Sequence, residues 1–289
     1  MLRRCRNERP ALRGYRVGER DREILRGIGR MKFARTSSIR SLFFGDPSTC
    51  SRRMAKLVAL NLCAVFVPSL NAENVYSLTP RGRALLLAEG VDESEIHLGR
   101  TPSPASLDHL LAINAIRVAL VVACRARTDV SIDLFLSDLD LRRVSGFSTA
   151  RYQPDALVRL VVDDNDAAPS ERSIGLTVEW DAGTESPRYF AEHKGKVLRE
   201  LHTAGEPCWG LAPWRPILVA PTVRRLRALA GPLAAEGDGA FWLGTDLATL
   251  NTVGALGPAF ATIATVAETP RGAPVQWSVS LLDPPEGAR

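Results

Sequence analysis

Apolar positions in the first part of the chain recur at helical spacing and then begin to alternate. The stretch "ERDREILRGIGRM" (19–31) puts Ile24, Leu25 and Ile28 on one side and predicts an amphipathic helix. "TSSIRSLFF" opens on Thr36 and Ser37 and predicts a second, shorter helix. "GDPSTCSRRMAKLVALNL" predicts a third, with Asp46 as its N-cap and Pro47 as its first helical residue. "CAVFVPSL" and "VYSL" flank the polar "NAEN" and predict two short strands around a turn. "TPRGRALLLAEG" predicts a closing helix that starts near Pro80.

Three helices, a hairpin and a helix in under a hundred residues is the layout of a winged helix-turn-helix, expected over 19–90 behind a flexible basic arm at 1–18. The third helix carries the chemistry. Cys50, Met54, Leu57 and Val58 share a face, Thr49, Arg52 and Lys56 lie opposite, and Arg53 sits at the edge. An apolar back and a basic front suit a helix that packs on its neighbours and meets phosphates and base edges in a major groove. A plain solvated basic face is the alternative; the tri-helical context favours DNA contact. The hairpin would be the wing.

Residues 91–106, acidic and then rich in Pro and Ser, are expected to be a linker. From Leu107 a helix follows that is apolar on nearly every side, interrupted by His109, Asn114 and Arg117, as in a buried core helix. His109 reads as a hydrogen-bonded histidine near a helix start. Strands are then expected at "VSIDLFL", "QPDALVRLVV", "SIGLTVEWD", "PILVAPT" and "AFWLGT", with helices at 187–203 and "VRRLRALAG". Helices and strands in this order predict an α/β (α+β) domain with a mixed sheet over 107–289. Residues 246–289 are weakly patterned, with "VQWSVSLLD" as a candidate last strand.

Composition narrows the class. The chain has 289 residues, 45% apolar and 24% charged, enough for two ordinary globular domains. No run of eighteen apolar residues is read, so no membrane helix is expected, and the basic N-terminus lacks the apolar segment of a signal peptide. Five cysteines, none in C-x-x-C spacing, argue for a reducing, cytoplasmic setting and against zinc or a disulfide framework. The net charge of +5 is uneven: residues 1–100 hold 19 Lys and Arg against 10 Asp and Glu. The basic end suggests a polyanion partner such as double-stranded DNA.

An acidic constellation stands out in the second half. Asp155 opens one expected strand, and Glu179 and Asp181 end the next. An antiparallel pair would gather all three. Clustered carboxylates repel unless a cation neutralises them. Oxygen ligands at an open site suit Mg²⁺ or Mn²⁺, with Asp155 and Glu179 as candidate metal ligands. In the following helix, Ser186 is a natural N-cap and Phe190, Val197, Leu198 and Leu201 form the apolar stripe. Lys194 falls in the middle of that stripe, and Lys196 on the opposite face. A lysine aimed at a sheet needs a carboxylate partner or a route to water, and Glu179, Asp181 or Glu185 could be that partner. Asp155, Glu179, Asp181 and Lys194 are therefore the candidate catalytic residues. The structural alternative is a turn at Asp181–Gly183 and a plain ion pair at Lys194.

The ordered pieces "ERDREILRGIGRMKFARTSSIRSLFF", "RRMAKLVALNL", "VYSLTPRGRALL", "LDHLLAINAIRVAL", "YQPDALVRL", "VEWDAGTES" and "ILVAPTVRRLRAL" resemble the bacterial replication-relaxation proteins of plasmids and other mobile elements. The resemblance implies an N-terminal winged helix and a C-terminal domain similar to the PD-(D/E)XK, restriction-endonuclease-like fold. It also implies a role in plasmid replication or DNA relaxation. Carried onto this chain, the nuclease pattern gives Pro154 and Asp155, then Glu179. It wants a lysine two residues later, where Asp181 stands, so Lys194 is the candidate replacement. His109 and Asn114 also match the family's helix.

Three functions remain open on these residues. One is a DNA-binding protein of a plasmid or mobile element, acting in replication or relaxation, whose nuclease-like domain does not cut. Another is a Mg²⁺- or Mn²⁺-dependent endonuclease that nicks DNA. The third is a winged-helix transcriptional regulator. Expected partners are double-stranded DNA, a second copy of the chain, and plasmid replication or relaxation proteins, with no membrane.

Overall fold

The computed structural model describes residues 3–4, 16–69, 72–99, 103–163 and 173–282. It is a mixed α/β protein with a small antiparallel sheet and a larger mixed one. The chain divides into two compact units, 1–118 and 119–289.

In the first unit, α1 (Glu19–Met31), α2 (Thr36–Phe43) and α3 (Pro47–Ala59) precede a hairpin of β3 (Cys63–Val67) and β4 (Val75–Leu78), and α4 (Pro80–Ala88) follows. The expected order of elements is present. The short β2 (Ala34–Arg35) pairs with β4, placing Ala34 opposite Tyr76. Of the expected arm, Arg3–Arg4 form β1 and pair with β3, while residues 5–15 lie outside the described residues.

Local chemistry sets the helix starts. Asp46 accepts the Thr49 N–H at 2.9 Å and Pro47 supplies a preset φ, so α3 starts where the sequence puts it. Thr79 caps α4 by accepting the Gly82 N–H at 3.1 Å. Gly82 is required here because a Cβ would lie 2.2 Å from the Leu62 carbonyl oxygen. Ile24, Leu25, Ile28, Ile39, Cys50, Met54 and Leu57 close the core.

The expected linker is partly built into this unit. Glu93–Glu95 form a 3₁₀ turn, Ile96 is buried, and the His97 N–H reaches the Gly29 carbonyl at 2.9 Å. The division of the chain falls within α5 (Pro104–Arg125), between Val118 and Ala119, and not at 91–106. The physical reason lies at the end of α1, whose last carbonyls have no partner within their own helix. Asn114 is buried and donates from Nδ2 to the carbonyls of Met31 and Phe33, both at 2.9 Å. Arg117 Nη1 donates to the Arg30 carbonyl at 3.1 Å. By length and composition alone α5 could cross a membrane, with a mean hydropathy of 1.8. Half of that apolar window is buried inside the protein, as in a core helix.

The second unit is built on a six-stranded sheet of order β10-β9-β8-β7-β6-β5. Its strands are β5 (Val130–Ser137), β6 (Ala156–Val162), β7 (Ser173–Trp180), β8 (Trp214–Ala220), β9 (Leu243–Asp246) and β10 (Ala261–Thr262). β5, β6 and β7 are antiparallel, whereas β7, β8 and β9 are parallel. A short α6 (Asp138–Leu141) follows β5. The β7–β8 crossover runs through α7 (Pro187–Phe190), a π-helical turn (Ala191–Gly195) and α8 (Lys196–Thr203). α9 (Val223–Ala235) links β8 to β9. Leu157 and Leu218 on the sheet pack in one core with Phe190, Leu198, Leu226, Leu229, Leu233 and Trp242.

The tail is better ordered than its pattern suggests. Asp246 caps α10 (Leu247–Val253) by accepting the N–H groups of Ala248 and Thr249, and Thr262 caps α11 (Ile263–Glu268). The described part of "VQWSVSLLD", residues 275–282, forms no strand. The sheet edge is already held by β10, and the segment meets it only through an isolated bridge between Phe260 and Val279.

Asn114→Ala should remove the side-chain donor from the Met31 and Phe33 carbonyls. The expected cost is about 1–3 kcal/mol of unfolding free energy, read as a lower urea midpoint with unchanged helical content. An unchanged midpoint would mean that this amide contributes nothing to the first unit.

Candidate functional site

In the first unit the candidate surface lies on α3. Cys50, Met54 and Leu57 are buried, while Arg52 and Lys56 are exposed and Thr49 is half-buried. The apolar back is used by the core, which turns the basic residues outward. Arg52 donates to the Thr49 hydroxyl at 3.3 Å, one turn back on the same face. Arg53 is placed differently. Its guanidinium lies 3.3 Å from Asp21, a carboxylate of α1 that is almost wholly buried. Arg53 thus ties α3 to α1, and the outward-facing cations are Arg52 and Lys56.

In the second unit, strand pairing builds the acidic site. β6 and β7 run antiparallel with Ala156 opposite Val178, which sets the start of one beside the end of the other. Asp155 continues the ladder: its N–H donates to the Val178 carbonyl at 3.1 Å, and its Oδ2 accepts the Trp180 N–H at 2.8 Å. Glu179 has 0% exposure. Its Oε2 accepts from Lys194 Nζ at 2.6 Å, and its Oε1 accepts from the Tyr152 hydroxyl at 2.6 Å. Burial pushes the Glu179 carboxyl above the usual carboxylate range, and the neighbouring Asp155 adds to this, while Lys194 and Tyr152 pull it back. Burial opposes the Lys194 ammonium, but the attraction of Glu179 and Asp155 outweighs it and holds Lys194 above the ordinary lysine value. Asp155, Glu179 and Lys194 are therefore brought together.

Asp181 is not part of this group. Arg225 on α9 holds it in a bidentate pair, Nε to Oδ2 at 2.5 Å and Nη2 to Oδ1 at 2.9 Å. The same Nη2 also donates to the Glu185 carbonyl at 2.5 Å, which ties the turn after β7 to α9. Asp181 follows Glu179 by two residues, as the strand period requires, but a second cation claims it.

The donor set does not suit a divalent ion as it stands. Both Glu179 oxygens are engaged, one of them by the Lys194 ammonium, and both Asp181 oxygens face Arg225. An oxygen-liganded Mg²⁺ at about 2.0–2.1 Å would have to displace that ammonium. Among the described residues, no three His, Cys, Asp or Glu side chains are grouped to hold a metal ion.

The helix that carries Lys194 is shaped for its task. The π turn (Ala191–Gly195) widens the helix at this residue, a type of irregularity that often marks a functional position. Gly195 lets the turn press on α9, since a Cβ there would lie 2.8 Å from Leu233 Cδ2 and 3.0 Å from Asp238 Oδ2. Asp238 is buried, with Oδ2 at 3.2 Å from Arg199 Nη1 and with no hydrogen-bond partner for Oδ1 among the described residues. Tyr152 and Arg225 were not among the expected site residues. Tyr152 directly precedes "QPD", but nothing in its spacing shows that its hydroxyl turns inward.

A helical unit with a small antiparallel sheet thus presents a basic helix face, and a mixed-sheet unit holds a buried carboxylate–lysine pair. The chain belongs to the replication-relaxation family, whose model matches residues 25–206. That match spans Arg52, Lys56, Asp155, Glu179 and Lys194, and it ends before Arg225. No curated protein and no solved structure gives a match.

Burial pushes the Asp238 carboxyl up to about 6 from an ordinary 3.8, Arg199 pulling against it and Glu236 adding to it. The folded state therefore keeps a proton that the unfolded chain has already lost in that window. The contribution of this group is full below pH 3.8 and is lost as pH rises through about 6. Asp238→Asn should remove this loss. Its stability relative to the wild type should improve by on the order of 2 kcal/mol between about pH 4 and pH 7 in urea titrations. Parallel pH profiles for the two proteins would contradict this account.

Proposed function

We propose that the protein binds double-stranded DNA through the exposed face of α3 and acts in the replication or relaxation of a plasmid or mobile element. In this reading the second unit contributes binding and not strand cleavage. The observation that carries the proposal is the two-sided α3, with Cys50, Met54 and Leu57 sealed in the core and Arg52 and Lys56 turned outward. The arrangement of helices and hairpin around it supports a winged helix-turn-helix. Family membership supplies the setting: a role in replication or relaxation, with DNA and replication proteins as partners. The engaged state of Glu179 supports a non-cleaving second unit, because a catalytic metal needs open carboxylate oxygens.

A second reading, a metal-dependent nickase, draws on the convergence of Asp155, Glu179 and Lys194. Supercoiled plasmid decides between the two. The wild type with Mg²⁺ or Mn²⁺ should leave it intact at protein concentrations that shift its mobility. Nicking that Asp155→Ala abolishes would establish the enzyme.

DNA affinity should fall in the double variant Arg52→Ala/Lys56→Ala, and the slope of log K against log salt should shrink by about 2, since each lost phosphate contact removes about 0.9. Arg53→Ala should instead lower stability, because it removes the ion pair that Arg53 makes with the buried Asp21. A double variant with the wild-type salt slope would show that α3 does not face the duplex.

A further inference from the structure

We propose that Lys194 is a tethered cation: its ammonium, bonded to Glu179 at the strand end that also carries Asp155, takes the place that a divalent ion takes among clustered carboxylates, and makes this site independent of metal. The proposal rests on the non-cleaving reading of the second unit.

Charge and geometry carry the argument. Strand register sets Asp155 beside the end of β7, where its Oδ2 accepts the Trp180 N–H next to Glu179, and a carboxylate with no exposed surface beside another acid stays ionised only with a compensating positive charge. The only cation within hydrogen-bonding distance of Glu179 among the described contacts is Lys194 Nζ, at 2.6 Å from Oε2. The rest of the site leaves that ammonium little freedom. The Lys194 side chain is only 29% exposed, and Nζ lies 5.5 Å from the centre of the Phe190 ring. The π turn that displays it is pinned by Gly195 against Leu233 and Asp238. The second Glu179 oxygen is held by Tyr152.

The other acid in reach of a metal has been withdrawn. Asp181 would be the third oxygen donor on the same strand face, but Arg225 takes both of its oxygens. The two ion pairs thus divide the acids of β7 between two helices, Glu179 to the π turn before α8 and Asp181 to α9. A divalent ion entering this site would meet an ammonium it must expel and carboxylates already bonded, and it would not gain Asp181. Glu179 and Asp155 would become a metal site only if the ammonium were removed.

The test is Mn²⁺ binding by the full chain, followed by electron paramagnetic resonance and by thermal melting at matched ionic strength. The wild type should leave Mn²⁺ free and melt at the same temperature with and without it. Lys194→Ala should melt lower, by roughly 5 °C or more, then bind one Mn²⁺ and recover part of the loss. Lys194→Ala combined with Asp155→Asn should lose both the Mn²⁺ binding and the recovery. Lys194→Gln, which keeps the stem and a neutral donor, serves as a milder variant and should also gain Mn²⁺ binding.

Mn²⁺ bound by the wild type and lost in Asp155→Asn would overturn the proposal. So would a folded Lys194→Ala or Lys194→Gln that ignores the metal, or the failure of both to fold even with Mn²⁺ present. None of these outcomes depends on DNA binding. Failure of α3 to bind DNA would therefore leave this result standing, and failure here would leave the α3 reading intact.

Discussion

Glu179 sits on the fourth strand of a six-stranded sheet with no surface in water, and that burial constrains much of the second unit. An ionised carboxylate there is tolerable only with a cation and a second donor at hand. The cation must come from the helix packed over β7, which explains a lysine inside an apolar stripe. The helix must bring that lysine close enough, which gives the π turn a purpose. The turn must approach α9, which explains Gly195. Tyr152 must lie beside the strand end, which fixes the segment that leads into β6. One buried charge thus accounts for a lysine, the glycine beside it, the helical irregularity that holds both, and a tyrosine from a distant part of the chain.

Asp181 shows how the same strand face can hold two acids without merging them. It lies two positions after Glu179, so both point toward the helices. The arginine of α9 meets one and the lysine of the crossover meets the other. Bidentate pairing suits Asp181 because the planar guanidinium also reaches the Glu185 carbonyl and so fixes the loop after β7. A point-like ammonium suits Glu179 because Tyr152 already takes the other oxygen. The choice of cation follows from how many acceptors each one has to satisfy.

Short-range chemistry made much of this legible in the sequence. The caps at Asp46 and Thr79, the proline at the start of α3 and the two faces of α3 depend on residues within four positions of one another. Lys194 was legible as an exception to a helical stripe, and the meeting of Asp155 with Glu179 followed from strand alternation and an antiparallel pair. What could not be read depends on partners far apart. Asn114 closes the end of α1 from 83 residues away, which is why a segment that reads as linker and the helix after it belong in part to the first unit. Arg225 reaches Asp181 across 44 residues, and Tyr152 reaches Glu179 across 27. The tail lacked a strong apolar rhythm because its helices are short, and caps at Asp246 and Thr262 define them more than a stripe does.

The two units handle charge in opposite ways, and this bears on how such a protein could use DNA. In α3, burial is reserved for the apolar back and for the Asp21–Arg53 tie, so that Arg52 and Lys56 stay in water, where attraction to phosphate is long-ranged and sensitive to salt. In the sheet, positive charge is turned inward and spent on carboxylates. A bare pair of acids at the mouth of a strand would repel a phosphate backbone. The lysine offsets one of the two charges, and the arginine on α9 cancels the third acid outright. On the proposed reading the duplex is therefore met by α3, while the pairing of these acids keeps unpaired negative charge off the end of β7.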